Sequence, residues 1–296
     1  MNSTYISHIS DIFFDANDTL YIVDEYLNSV VLKLPKNAAT PTLIAGIPLS
    51  LGSNSSQLNY PQGVYVDAKR TLYVTDYYNY RIQKYVNGSS NGITIAGITT
   101  SAGTAANQFA GLRYLSFDPS ETYMYVTDCD NHRIMRYPTN STTGTNGIVV
   151  AGGNGNGNET TQLAYPWGID YRPMISNYMY ITNYLGHTVT KWVPGASSGI
   201  FVAGTPGVTG STATTFMHPM GIKLDANLNM FVVDNGNHRV QMFCFNNQTG
   251  VTVAGNGTAG NTPTLLSDPR GIAFDSSMNM YVSDHNNMRI QKFLKI

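Results

Sequence analysis

The sequence repeats itself six times, and that constrains its fold more than any other feature. Six short apolar runs close on an acid or its amide: LYIVD, LYVTD, MYVTD, MYITN, MFVVD and MYVSD, ending at Asp24, Asp76, Asp128, Asn183, Asp234 and Asp284. Successive ends lie 52, 52, 55, 51 and 50 residues apart. A period of this size means a repeat architecture and has to be settled before any other reading. Three more series keep the same spacing. The opening run reads DIFFD, GVYVD, YLSFD, GIDYR, GIKLD and GIAFD; the third reads VVLKL, RIQKY, RIMRY, TVTKW, RVQMF and RIQKF. A fourth occurs as TLIAG, ITIAG, IVVAG, IFVAG and VTVAG. These short runs are rich in Val, Ile, Tyr and Phe and are bounded by Gly, Asn, Asp or Pro, which is the signature of strands. No stretch keeps a helical period.

Most runs are apolar at nearly every position, so both faces of each sheet are expected to be covered. A twisted four-stranded sheet covered on both faces is a propeller blade. The predicted fold is all-β, a six-bladed β-propeller of four-stranded antiparallel blades in one domain, 1–296. The blades fall near 9–46, 61–97, 112–152, 166–204, 219–255 and 269–296. The sixth unit stops after its third run. Elsewhere about fourteen residues separate each AG from the next opening Pro, yet only eight precede Ile9. The sixth blade is therefore expected to lack a regular outer strand, with three strands or an irregular patch supplied by Met1 to Tyr5. A fragment cut from a longer chain would account for this.

The chain carries 17 basic and 18 acidic residues, a net charge of -1. Nine of the basic residues lie in third runs: Lys33, Arg81, Lys84, Arg133, Arg136, Lys191, Arg239, Arg289 and Lys292. Their repeated placement belongs to blade construction, which leaves little of the basic surface that nucleic acid requires. No apolar run is long enough to span a membrane. The opening MNSTYIS has neither the basic start nor the apolar core of a signal peptide, so the chain is either intracellular or an excised or mature piece. Asn-x-Ser/Thr sequons at Asn2, Asn17, Asn54, Asn87, Asn140, Asn158, Asn247 and Asn256 fall in inferred turns and links. They favour an extracellular protein or the ectodomain of a larger one, with the cytoplasm as the alternative. Cys129 and Cys244 sit in units that are not neighbours, too far apart for a disulfide. Two free thiols are expected, which fits the cytosol slightly better.

The segments LSDPRGIAFDSSMNMYVSDHNNMRIQKF and YPQGVYVDAKRTLYVTDYYNYRIQKY resemble consecutive NHL repeats. The Asn-His-Leu signature of that family is matched here as Asn131-His132-Arg133 and Asn237-His238-Arg239. The resemblance runs from Ile9 to Ile296 and implies the propeller. It also implies a choice of roles, since the family includes RNA-binding regulators, extracellular sensor domains and a peptide-amidating lyase. A shared fold does not select among them.

In a four-stranded meander the opening Pro-x-Gly and the loop after the second run lie on one face, where a rigid scaffold holds loops for recognition. The x residues are Ser10, Gln62, Arg113, Trp167, Met220 and Arg270. Pro presets the chain entering the strand and Gly permits close packing, so x could simply be whatever fits. Trp167 and the two arginines point instead to recognition, because Trp and Arg dominate binding energy at interfaces. Tyr26, Tyr77, Tyr78 and Tyr184 follow second runs and offer broad, rigid contact surfaces. The candidate ligand-binding set is Ser10, Gln62, Arg113, Trp167, Met220, Arg270, Tyr77 and Tyr184. The expected function is that of a non-catalytic binding or scaffold module, monomeric, recognising a protein, peptide or glycan. The alternatives are an RNA-binding NHL domain or an amidating-lyase-like metalloenzyme.

No catalytic residue, cofactor or metal site is assigned. G-x-S-x-G, H-E-x-x-H and phosphate-loop motifs are absent. His132, His187 and His238 recur at one repeat position, but packed sheets lie about 10 Å apart and zinc needs nitrogens within about 2 Å. His218 and His285 lack an obvious third ligand, and a calcium ion in the central channel is left open. The fourth unit departs from the others. It has Asn183 for Asp and Thr188 where four units carry Arg81, Arg133, Arg239 and Arg289. Loss of both charges together predicts that Asp and Arg form an ion pair within each of the four blades. Asp170 stands where the other units carry Phe13, Tyr65, Ser116, Lys223 and Ala273. It is expected either to pair with Lys223 or to meet water.

Overall fold

The computed structural model describes residues 6–86 and 88–295. The patch considered for Met1 to Tyr5 lies outside them. Every regular element of length is a strand. The first blade contains β1 (Ile9–Phe14), β2 (Leu20–Asp24), β3 (Val30–Leu34) and β4 (Thr42–Ala45), and the second contains β5 (Pro61–Val66), β6 (Leu72–Asp76), β7 (Arg81–Tyr85) and β8 (Ile93–Gly97). The third contains β9 (Leu112–Phe117), β10 (Tyr123–Asp128), β11 (Arg133–Pro138) and β12 (Ile148–Gly152). The fourth contains β13 (Pro166–Tyr171), β14 (Met179–Asn183), β15 (Thr188–Trp192) and β16 (Ile200–Gly204). The fifth contains β17 (Pro219–Leu224), β18 (Met230–Asp234), β19 (Arg239–Phe243) and β20 (Val251–Gly255). The sixth has three described strands, β21 (Pro269–Phe274), β22 (Met280–Asp284) and β23 (Arg289–Phe293). In each sheet the spatial order is the chain order. The fold is an all-β six-bladed propeller of antiparallel blades, the sixth with three strands among the described residues, as the repeats predict.

The chain forms two compact units, Met1–Tyr114 with Asn140–Asn146 and Arg270–Ile296, and Leu115–Thr139 with Gly147–Pro269. In the first unit one core joins Val23, Val31, Leu58, Val64, Val74 and Tyr85, and another joins Ile9, Ile12, Ile22, Leu32 and Ala273. In the second, Val189, Phe216, Ile222, Val232 and Phe243 fill the equivalent space.

Two local devices hold the blades, and both are visible in the repeat. The first is a buried carboxylate that closes the turn after the second strand. Asp76 Oδ2 accepts hydrogen bonds from Asn79 Nδ2 (2.8 Å) and Arg81 Nε (2.8 Å), so one group holds both the 3-10 turn Tyr77–Asn79 and the strand that follows. The ion pair recurs as Arg133–Asp128 (2.8 Å), Arg239–Asp234 (2.8 Å) and Arg289–Asp284 (2.7 Å), which is the pairing the sequence predicted. Burial pushes the carboxyls of Asp76 and Asp234 up, against the pull of their arginines and asparagines. In the fourth blade a neutral version replaces it, with Asn183 Nδ2 donating to Thr188 Oγ1 (3.1 Å) and Thr190 Oγ1 (3.2 Å).

The second device is a bulge. The register of β5 on β6 slips between Pro61 and Val64, and the slip recurs in the first, fourth and fifth blades. Such a bulge leaves a residue outside the ladder and re-aims its side chain. The second-strand hydroxyl repairs the lost bonding. Thr75 Oγ1 accepts from Gly63 N (2.7 Å) and donates to the carbonyl of Arg113 in the next blade (2.6 Å). Thr182 does the same for Gly168 N (2.8 Å) and Met220 O (2.6 Å), and Thr127 donates to Trp167 O (3.0 Å). In the fourth blade this position requires glycine, since a Cβ on Gly168 would lie 2.2 Å from Met220 O. At the end of the fourth strand Gly97 has φ +84° and its Cβ would lie 2.2 Å from Tyr80 O, which accounts for the recurring AG.

Candidate functional site

Ser10, Gln62, Trp167 and Met220 sit in these bulges, and Arg113 and Arg270 hold the same repeat position. In the first unit Gln62, Arg113 and Arg270 join a charged network. Gln62 is 2% exposed. Its Nε2 donates to Glu25 Oε2 (2.5 Å) and its Oε1 accepts from Arg113 NH1 (2.8 Å). Arg113 also lies over the ring of Tyr77, 4.3 Å from its centroid, a cation–π contact. Arg270 NH1 pairs with Glu25 Oε1 at 2.5 Å. His285 Nε2 approaches the same oxygen at 3.6 Å while its Nδ1 donates to Ile9 O (3.2 Å). Burial and the Arg270 guanidinium hold His285 neutral down to about 3. Gln62, Arg113, Arg270 and Tyr77 are thus brought together by one buried acid, Glu25, which sequence reasoning did not select. Glu25 follows the second-strand acid Asp24, as Tyr77 follows Asp76 and His285 follows Asp284, and that shared position is the signal that could have found it.

Outside this network lies a run of rings. Tyr26 meets Tyr60 at 5.7 Å between centroids, Tyr60 meets Tyr78 at 4.8 Å, and Tyr78 meets Tyr77 at 4.8 Å, all edge-to-face. Tyr26 and Tyr78 are 42% and 48% exposed. His8 joins the other end, 5.1 Å from Tyr26 and 4.9 Å from His285. Among the described residues, the buried Nδ1 of His8 and Nε of Arg270 have no hydrogen-bond partner.

The second unit is different and corrects one expectation. Trp167 is not an open anchor. It is 6% exposed and lies under Tyr184, with ring centroids 5.0 Å apart. Tyr184 in turn stacks on His218 (4.5 Å, 18°), and His218 meets His187 at 5.1 Å. Met220 is buried as well. The bulge that re-aims the x side chain sends Trp167 beneath the loop residue of its own blade. Ser10 is also buried, and its hydroxyl donates to Gln62 O (2.9 Å). It supplies the link that Val23, which stands at the repeat position of Thr75, cannot make. Ser10, Trp167 and Met220 are therefore construction residues, and Tyr184 is the partly exposed cover of Trp167.

Asp170 adopts neither expected arrangement. Its Oδ2 accepts from Leu224 N in the next blade (2.8 Å) and pairs with Arg172 Nε (3.1 Å). Asp11 makes a similar bond to Val64 N (3.2 Å), and Ser116 Oγ to Tyr171 N (3.2 Å). A polar group on the first strand meets a backbone N–H of the next blade in each case. The repeat histidines also serve the blades. His132, His187 and His238 all have positive φ, and each Nδ1 accepts a backbone N–H of the following blade, from Tyr165 (3.4 Å), His218 (3.3 Å) and Asp268 (3.2 Å). Burial lowers the pKa of His132 and His187, as an acceptor role requires. Among the described residues no three His, Cys, Asp or Glu side chains form a metal-ligand group. Cys129 is buried and Cys244 exposed, both as free thiols.

Among the described residues, shallow grooves open at blade junctions. Two are lined by equivalent residues, Tyr21, Lys33 and Leu72 in one and Tyr180, Lys191 and Met230 in the other. Their recurrence marks them as products of blade stacking, and no candidate residue lines them.

The comparisons with known proteins agree with this architecture. Residues 58–85 and 266–293 match the family model of the NHL repeat. No curated protein matches the chain. Among solved structures it is similar to an auxiliary nutrient binding protein from Bacteroides thetaiotaomicron (TM-score 0.72, 15% identity, 97% of this chain and 69% of that one). It is similar also to a gluconolactonase from Xanthomonas campestris (TM-score 0.67, 15% identity, 95% and 84%). A chain of a nidogen/laminin complex gives a TM-score of 0.61 at 16% identity, over 94% and 93%. At such identities these likenesses establish the fold alone.

Proposed function

Because the chain belongs to the NHL-repeat β-propellers, a fold that serves unrelated roles, we propose from its site that it is a non-catalytic binding module for a protein, peptide or glycan. The observation that carries this is the run of rings Tyr26, Tyr60, Tyr78 and Tyr77, open at Tyr26 and Tyr78 and set beside the Glu25–Gln62–Arg113–Arg270 network. Rings already held edge-to-face lose little freedom when a ligand stacks on them, and Tyr keeps a polar end for hydrogen bonding. Arg113 and Arg270 are already engaged within the protein, so they offer little to a phosphate backbone.

The test begins by screening the whole chain against arrayed glycans and a displayed peptide library. The double substitution Tyr26→Ala with Tyr78→Ala is expected to weaken the selected ligand at least about tenfold, roughly 1.4 kcal/mol, with no change in fold. A ligand bound equally well by the double variant, or chemically converted by the protein, would overturn the reading. An extracellular setting is part of the proposal. The six described sequon asparagines Asn17, Asn54, Asn140, Asn158, Asn247 and Asn256 are all exposed, and no helix among the described residues is long and apolar enough to cross a membrane. Expression in a secretory host should add glycan mass at those sites.

A further inference from the structure

The link from β4 to β5 is strained and apolar at the same point. From Gly46 to Gly52 it reads GIPLSLG. Ser50 N donates to Ile47 O (3.0 Å), which closes a turn over Pro48 and Leu49, and Leu49 has φ +59°. A proline followed by a positive φ is the form of a type II turn, whose third residue calls for glycine. The fourth blade complies. There Val208 N donates to Thr205 O (3.0 Å) across Pro206 and Gly207, and Gly207 has φ +73°. The second blade puts Thr100 at the same place, with φ +61°. In the first blade the place is held by leucine, a bulky residue for which this conformation is an outlier.

Burial does not offset the strain. Leu49 is 74% exposed, and Ile47 and Leu51, two residues to either side, are 41% and 45% exposed. At the places of Leu49 and Leu51 the second blade carries Thr100 and Ala102, and the fourth Gly207 and Thr209. The base of the turn is held firmly. Gln57 Nε2 donates to Ser50 Oγ (2.9 Å), Gly52 N to the carbonyl of the buried Leu58 (3.3 Å), and Asn79 Nδ2 to Gly52 O (2.8 Å). A fixed base thus presents an aliphatic tip in a conformation that the local sequence disfavours, and strain of this kind gathers at working surfaces.

The chemistry of the tip selects its counterpart. Residues 41–66 contain no charged side chain, so the link has no attraction to an anionic or a cationic surface. Trp, Tyr and Arg dominate protein interfaces, whereas Leu and Ser are under-represented among the residues that carry binding energy there. Three aliphatic side chains also fall far short of the roughly 1,200–2,000 Å² that a stable pair of proteins buries. A fluid hydrocarbon phase needs neither matched shape nor direction. We propose that Leu49, with Ile47 and Leu51, inserts into the acyl region of a zwitterionic lipid bilayer and seats the first blade on a membrane surface. Three partly exposed side chains give weak, reversible attachment, on the scale of a single acyl chain at about 10⁴ M⁻¹. It suits the extracellular setting proposed above, because the cytoplasmic leaflet is the one that carries anionic lipid. The contact does not rest on the tyrosine run.

The probe is a suspension of phosphatidylcholine vesicles, mixed with the whole chain and sedimented. Half of the protein is expected to sediment at about 0.1 mM lipid, and added salt should leave that fraction unchanged, since no charge is involved. Leu49→Gly should lower the partition about tenfold, the share of a mostly exposed leucine. The same variant relieves the positive φ, so it should unfold at no lower temperature than wild type, and misfolding cannot account for the loss. Leu49→Trp should keep the binding. Trp167 and Trp192 are 6% and 1% exposed, so a shift of emission to shorter wavelength when vesicles are added reports the tip in lipid. Failure to sediment with vesicles, or equal sedimentation of Leu49→Gly and wild type, would overturn the proposal. So would binding confined to vesicles that contain phosphatidylserine and abolished by salt. A displayed peptide that binds wild type but not Leu49→Gly, without any vesicle binding, would assign the tip to a protein pocket instead.

Discussion

The two units fill the same repeat positions with opposite chemistry. After the second-strand acid or amide, the first unit has Glu25, Tyr77 and His285, and the second has Cys129, Tyr184 and Asn235. At the x position the first has Ser10, Gln62, Arg113 and Arg270, and the second has Trp167 and Met220. In the first, charge is matched by charge and the rings stand outside. In the second, Trp167, Tyr184, His218 and His187 stack directly. The bulge recurs in both units, as does the threonine link to the next blade, so side-chain identity is left to the immediate neighbours. The repeat makes the frame, and the site is whatever two adjacent blades agree upon.

The comparison is broken most sharply at Trp167. As a buried ring it should cost about 3–5 kcal/mol on substitution by alanine, read from urea unfolding. A cost below about 1 kcal/mol would return Trp167 to the surface and erase the distinction between the units. The ion pairs come next. Arg81→Thr leaves Asp76 buried and unmatched and should cost about 3 kcal/mol. Adding Asp76→Asn recreates the neutral arrangement of Asn183 and Thr188 and should recover a measurable part. If the double variant is no more stable than the single, the fourth blade is not a self-sufficient alternative.

A smaller effect separates the units by pH. His285 is neutral in the fold down to about 3, while an unfolded histidine titrates near 6.5. Above about 6.5 both states are neutral and the native contribution is complete. As pH falls below that value the unfolded chain takes a proton that the native site refuses, so stability declines by roughly 1 kcal/mol per pH unit until the folded pKa is reached. His132, His187 and His218 in the second unit are lowered too, mainly by burial, and act in the same direction. The difference between the wild type and His285→Gln, measured as unfolding free energy from neutral to acidic pH, isolates the first unit's share. Identical slopes would show that Arg270 and burial do not hold His285 neutral. The smallest effect is expected at Tyr26→Ala with Tyr78→Ala, whose stability should stay within about 0.5 kcal/mol of wild type while ligand binding falls.

Much of this frame was legible in the sequence. Strand positions, the three-stranded last blade and the Asp–Arg pairs all follow from features repeated often enough to compare. The pairs in particular were legible because the fourth unit lost Asp and Arg together. What could not be read depends on contacts between blades. Glu25 occurs once and looks like one more loop acid until Gln62 and Arg270 converge on it. Trp167 looks like an anchor until Tyr184 covers it. Thr75, Thr127 and Thr182 look like ordinary strand residues, because their partners are carbonyl oxygens that no sequence displays.

Those threonines carry a consequence for how such a molecule arises. Each hydroxyl grips the main chain of the following blade and asks nothing of its side chains, so a duplicated stretch of gene yields a cassette that docks behind any sibling on arrival. Selection can then rewrite the residues in the bulge without first reinventing the joint.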